Sequence, residues 1–160
     1  MRAMTMAMAR IEVLQLPVRL WQQSQEHSDE LVREFMLIAA EQRQPDGGHD
    51  VPKQLLTLIE ELTQRYAGFG DENETKLAAA ADQGVAAIDL VYELPADIAD
   101  GVRRLGEAFD QADEFCRRGE HLLTLATPPD QVRFRHWFLD EMVHQISGRP
   151  ATAWPDYTGD

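Results

Sequence analysis

Ile88-Asp89-Leu90-Val91-Tyr92-Glu93-Leu94-Pro95 decides what this chain can be. Ile88, Leu90 and Tyr92 alternate with Asp89 and Val91, and the segment is rich in β-branched residues, so the spacing favours a strand closed by Pro95 over a continued helix. A similar run occurs once before, as Ile11-Glu12-Val13-Leu14-Gln15-Leu16-Pro17. Both read hydrophobic–acidic–hydrophobic, run into Leu-Pro and lead into a long helical pattern. Two such strands pairing side by side would be a degenerate duplication about a pseudo-twofold axis, with halves 10–84 and 85–148. Chance similarity over eight residues is the competing reading.

Outward from these segments the pattern is helical. Pro17 suits the first turn of a helix, where its missing N–H costs nothing. From there to about Arg43, Leu20, Trp21, Ser24, Ser28, Leu31, Phe35 and Ile38 recur three and four apart on one stripe. Gln44 to Asp50 reads as a loop, because Pro45 and the Gly47-Gly48 pair punctuate it. Asp50 can cap a second helix with Pro52 just inside. Its inward positions are Leu55, Leu56, Ile59, Leu62 and Tyr66, and Gly68 and Gly70 end it. A third helix opens at Asp71, runs from Glu72 to about Gln83, and stops at Gly84.

After Pro95 the clearest helix of the chain follows. Ile98, Val102, Leu105, Phe109, Ala112 and Cys116 alternate spacings of four and three, a seam suited to antiparallel packing. Gly119 ends it, and Glu120–Ala126 is an apolar connector that must be covered. Thr127-Pro128-Pro129-Asp130 reads as a helix start, with Thr127 as N-cap. The last helix runs through Val132, Leu139, Val143 and Ile146 to Gly148. The predicted fold is mainly α: a bundle of about five helices with one small two-stranded β element. It forms one domain over 10–148, with a frayed start over 1–9 and a loose tail over 149–160. Trp154 and Tyr157 are exceptions in that tail: they pack back on the body or anchor a partner.

Composition bounds the function. The chain has 160 residues, 44% of them hydrophobic and 27% charged, enough for a core without a disulfide or metal staple. With 15 Lys+Arg against 28 Asp+Glu, the net charge is −13. Such a surface repels phosphate backbones and anionic headgroups, which sets nucleic-acid and membrane-surface roles aside. It keeps the protein in solution and suits docking to a basic partner. The single cysteine, Cys116, excludes a disulfide framework, a CxxC pair and a Cys-rich zinc module. No apolar run approaches the ~18 residues of a membrane span, and Met1–Ala9 lacks the ~7–15-residue core of a signal peptide. A cytoplasmic location is expected.

Few constellations could carry chemistry. No phosphate-binding glycine loop is present. His136, Asp140 and His144 share one helix face at i, i+4 and i+8, and Glu141-Met142-Val143-His144 has the Glu-x-x-His spacing of di-iron bundles. A zinc site there would need a further ligand, for which His121 is a candidate. The plain alternative is a set of polar side chains at a helix edge. Cys116 lies on an apolar seam, which suits inert core better than a nucleophile. Acidic pairs such as Asp113-Glu114 and Glu60-Glu61 are expected by chance on helices this acidic. A ligand pocket between the long helices would be lined by Trp21, Phe35, Phe109 and Phe115. The most distinctive surface is Arg133-Phe134-Arg135-His136-Trp137-Phe138-Leu139. Its aromatic rings widen an apolar stripe to most of the circumference, so the helix is either wrapped on two sides or meets another chain. Arg133, Phe134, Trp137 and Phe138 are the candidate partner contacts, including contacts in a homodimer.

The chain resembles a family of small actinobacterial proteins. The residues that carry the resemblance are Arg10–Phe35, Ile88–Pro95, Ala112-Asp113-Glu114-Phe115-Cys116-Arg117, and Leu122–Pro129 with the aromatic helix after it, so it spans about residues 10–154. That family is associated with partner-switching neighbourhoods: an ATP-binding anti-sigma serine kinase, its STAS-domain antagonist and a PP2C-like phosphatase. The resemblance implies a regulatory accessory protein and brings no catalytic residues with it. The kinase's Asn and Gly boxes and the phosphatase's metal-binding Asp motifs are missing from the sequence. The expectation is therefore a non-enzymatic signalling partner without a cofactor. A metal- or small-ligand-binding helical protein, as sensor or enzyme, is the alternative.

Overall fold

The computed structural model describes residues 7–41, 51–119 and 125–159. Among them are strand β1 (Met8–Pro17), helices α1 (Val18–Glu41), α2 (Val51–Arg65) and α3 (Asp71–Asp82), strand β2 (Ala87–Pro95), and helices α4 (Ile98–Arg118) and α5 (Pro129–Ile146). A 3-10 turn follows at Trp154–Asp156. The mainly helical fold with a two-stranded sheet is the one the residue spacing predicts, and Ile88–Pro95 is strand. The loop expected at Gln44–Asp50, the Asp50 cap, His121 and most of the Glu120–Ala126 connector lie outside the described residues, as do Met1–Met6.

The two strands pair antiparallel, with Ile11 opposite Tyr92 and Val13 opposite Leu90. Met8 and Ala9, expected to fray, belong to this ladder opposite Pro95 and Leu94. Alternation puts Ile11, Val13, Leu90, Tyr92 and Leu94 on the buried face. An irregularity between Val13 and Leu16 then shifts the phase of β1. Gln15 takes φ 55°, and its N–H donates to Asp89 Oδ1 at 2.7 Å. Two residues, Leu14 and Gln15, thus oppose one, and Leu16 returns to the buried face instead of pointing to solvent.

Both outer edges of this sheet are closed by side chains. Glu12 and Val91 face each other in register. On one edge the Gln145 amide makes both bonds a third strand would make: Glu12 N–H donates to Gln145 Oε1 at 2.8 Å, and Gln145 Nε2 donates to the Glu12 carbonyl at 2.8 Å. On the other edge Asn73 Nδ2, from α3, donates to the Val91 carbonyl at 2.9 Å. Both backbone groups of Glu12 and the carbonyl of Val91, which would otherwise template further pairing, are thus satisfied within the fold.

The four longer helices close a ring in which α1 and α4 each pack on both α2 and α5. That places α1 across from α4, and α2 across from α5, as a twofold exchanging the two halves would require. α3 packs on α1 and β2 and has no counterpart among the described elements. The ring carries two cores. One joins the sheet to α5 through Ile11, Leu90, Phe134 and Trp137; the other joins α1, α2 and α4 through Leu31, Phe35, Leu55 and Cys116. The first half of α1 serves the sheet core and its second half the helical core, which separates Trp21 from Phe35.

Gln145→Ala strips β1 of two partly buried backbone bonds. It is expected to lower stability by about 1–3 kcal/mol in urea titration without changing helix content.

Candidate functional site

The polar residues of α4 and α5 meet in one network. Asp113 is almost completely buried (2% exposed) on the inner side of α4. Its Oδ1 accepts from the Thr127 N–H at 3.0 Å and from Thr127 Oγ1 at 2.6 Å. Its Oδ2 accepts from Arg135 Nη2 at 2.9 Å. The same Arg135 nitrogen donates to Asp110 Oδ1 at 2.7 Å, and the guanidinium lies over the Phe109 ring, 5.4 Å from its centroid. His136 Nε2 is 2.8 Å from that Asp110 oxygen, and against a carboxylate it is the donor. Thr127, Asp113, Arg135, Asp110 and His136 thus form a chain running from the interior to the surface between the two helices.

Burial raises the Asp110 carboxyl, while hydrogen bonds from His136 and Arg135 and their charges lower it by more. It therefore sits below its ordinary value of 3.8. Cys116, one turn beyond Asp113, is raised to about 11 by burial and by the Asp113 charge, against the pull of Arg117. At neutral pH it is a thiol packed in the helical core, not a nucleophile.

Thr127 does not cap α5 with its hydroxyl as the motif predicts, because that hydroxyl is committed to Asp113. Sequence reading gives Thr127 as a helix cap, Asp113 as one of a chance acidic pair and Arg135 as part of the aromatic helix, and does not join the three. The pairing joins positions 14 and 22 residues apart across a connector, and no local spacing encodes it.

The proposed metal trio does not converge. Side chains at i, i+4 and i+8 spread over ~12 Å of helix axis, too far to share one ion without ligands from elsewhere. His136 turns to Asp110 on α4, and Asp140 accepts from the Tyr157 hydroxyl at 3.5 Å. Among the described residues no three His, Cys, Asp or Glu side chains gather around a point. The supposed aromatic pocket is divided between cores. Phe35 and Phe115 meet edge to face at 5.7 Å beside Phe109 in the helical core, whereas Trp21 packs on the sheet core. What does open between α4 and α5 is a cleft of about 240 Å³. Val102, Leu139 and Val143 form its apolar wall, and Asp110, His136 and Asp140 supply polar groups.

The aromatic face of α5 is covered by the chain itself. Trp137 is fully buried and Phe134 nearly so, which removes both as contacts for a partner in this arrangement. Trp137 Nε1 donates to the Thr152 carbonyl at 2.9 Å, and Trp154 crosses the Trp137 ring with centroids 5.5 Å apart. Phe138 is half-buried and edge-on to Tyr92 at 6.0 Å. Arg133, exposed on its outer side, lies over Trp154 and Tyr157 and donates to the Tyr157 carbonyl. Wrapping on two sides, one of the two readings open for this helix, holds for Phe134 and Trp137. The segment after Gly148, expected to be loose apart from its rings, also buries Ala153.

Comparison of the chain with protein-family models, curated proteins and solved structures finds no match.

Two outcomes follow from the network. Asp113→Ala leaves the Arg135 guanidinium buried without its innermost partner and is expected to cost ~3–5 kcal/mol. The double variant Asp113→Ala, Arg135→Met should recover part of that loss in thermal melts. A lowered carboxyl contributes stability above pH ~3.8 and loses it as pH falls through its own lower pKa. Asp110→Asn should therefore flatten the acid limb of the stability profile below about pH 4, read from urea midpoints between about pH 2 and 6.

Proposed function

We propose that this chain is a non-enzymatic interaction protein that docks a basic partner, as an accessory component of a partner-switching signalling module. The observation that supports docking is one face of α1. Met36 and Leu37 are 58% and 55% exposed, the two most exposed large apolar side chains among the described residues. Helical spacing puts them on the same solvent stripe as exposed Glu26, Asp29 and Glu30, with exposed Arg33 between the acidic residues and the apolar pair. Three acidic residues against one Arg beside an exposed apolar pair suit a partner surface that is basic on balance around a hydrophobic anchor. The net charge of −13 would raise the encounter rate with such a surface and repel a second copy. Two groups nominated for chemistry fit the same reading, since His136 ties α5 to Asp110 of α4 and Cys116 is core. The choice of module rests on the family resemblance of residues 10–154.

The test is calorimetric titration with the purified anti-sigma kinase, STAS antagonist and PP2C phosphatase of the same organism. One of them should bind with a Kd of about 1 µM or tighter, and more weakly as salt is raised. Met36→Glu with Leu37→Glu should weaken that binding about tenfold or more, with stability unchanged to within about 1 kcal/mol. Binding to none of the three, or unchanged binding by the variant, sinks the proposal.

The α4–α5 cleft favours a second reading, in which the chain binds a small ligand. Its volume of about 240 Å³ falls below the ~300–1,000 Å³ of drug-sized sites, so the ligand would be a small metabolite. A thermal-shift screen of nucleotides and metabolites without a hit would remove it.

A further inference from the structure

The segment from Pro150 to Tyr157 is attached to the body as a bound peptide would be. Its main chain is read by side chains of α5. Thr152 donates its N–H to Glu141 Oε1 at 2.7 Å, the Thr152 carbonyl accepts from Trp137, and the Tyr157 carbonyl accepts from Arg133. Glu141 is itself 3% exposed, so a buried carboxylate spends a bond on this segment. Ala153 and Tyr157 have polyproline-like backbone angles, φ −67°, ψ 151° and φ −73°, ψ 126°, on either side of the Trp154-Pro155-Asp156 turn. Trp154 meets Phe134 and Trp137, and Tyr157 stacks on Trp154. An extended, proline-containing segment seated among aromatic rings is a recurring mode of peptide recognition.

The connection to α5 is short. α5 ends at Ile146, Gly148 takes φ +100°, and the Arg149 N–H returns to the His144 carbonyl at 2.9 Å. The first bond from the segment to the face of α5 is at Thr152. A short hinge between a helix and a separately docked strap is the geometry that invites exchange of the strap between copies.

We propose that this strap is exchangeable: the α5 groove of one copy accepts residues 150–157 of a second copy, and reciprocal exchange gives a twofold dimer. The occupant known to fit the groove is the strap itself, so the second copy supplies the same Thr152, Trp154 and Tyr157 to the same Glu141, Trp137 and Arg133. Each protomer then keeps every contact described above, and only the hinge changes conformation. The acidic surface opposes association, so the dimer appears at high protein concentration and high salt. This inference is independent of the α1 surface and stands or falls without it.

The test uses the full chain. Light scattering after size exclusion, from about 5 to 500 µM, should show a concentration-dependent dimer, strengthened by salt. Because Tyr157 makes the same contacts in both states, Tyr157→Ala should lower the melting temperature of both while leaving the dimer fraction unchanged to within about twofold, whereas removal of residues 150–160 should abolish the dimer. A chain lacking Pro150 and Ala151 has a hinge too short to fold back and should be a stable dimer with native circular dichroism. A wild type that stays monomeric together with a monomeric or unfolded hinge-shortened chain overturns the proposal. So does a dimer that persists when residues 150–160 are removed, which would use another face.

Discussion

Everything in this fold hangs on one non-local pairing, the antiparallel contact of β1 with β2. Residues nearly eighty apart must meet before either strand has a partner, so loop-closure entropy opposes the step. A two-stranded sheet is marginal alone, and this one is stabilised from three sides. Its buried face carries Ile11, Val13, Leu16, Leu90 and Tyr92 into the core beneath α5. Its two edges are closed by Gln145 and Asn73 at the paired positions Glu12 and Val91. Because α5 supplies both the core face and one edge closure, the last helix and the first strand are one unit, 133 residues apart in sequence at Glu12 and Gln145.

The buried ion pair between α4 and α5 follows from that unit. Once α5 lies on the sheet, its other side faces α4, where Arg135, 11% exposed, pairs with Asp113 and Asp110. Burying charge is costly, and here the two carboxylates, Thr127 and the face of Phe109 engage the guanidinium, while its Nε is buried without a hydrogen-bond partner. The benefit is positional: a guanidinium between two carboxylates sets the rotation and register of one helix against the other. Polar side chains that look like chemistry in the sequence are thereby engaged in holding helices, and the surfaces left for a partner are those the bundle does not use.

The duplication suggested by the two Leu-Pro strands gains a structural counterpart without becoming an evolutionary statement. An antiparallel strand pair has a local twofold whatever its origin. The further observation is that α1 and α4 each touch both α2 and α5, as exchange of halves would require. The bulge at Gln15 and the extra helix α3 break that symmetry.

What the sequence determined by itself was the set of elements. The period-2 segments became β1 and β2, and the three-and-four seams became the helices, because backbone periodicity is a local property that one stretch of residues can carry. The all-round apolar character of α5 was equally legible, as was the need for it to be covered. What covers it was decided only by tertiary structure. Trp154 and Tyr157 reach Phe134, Trp137 and Arg133 by a turn of the chain that no spacing predicts, so three of the four residues nominated for a partner are engaged by this segment. The same holds for Asp113 with Arg135 and Gln145 with Glu12. A hydrogen-bonding group shows in sequence only that it needs a partner; which partner it finds depends on how the elements pack.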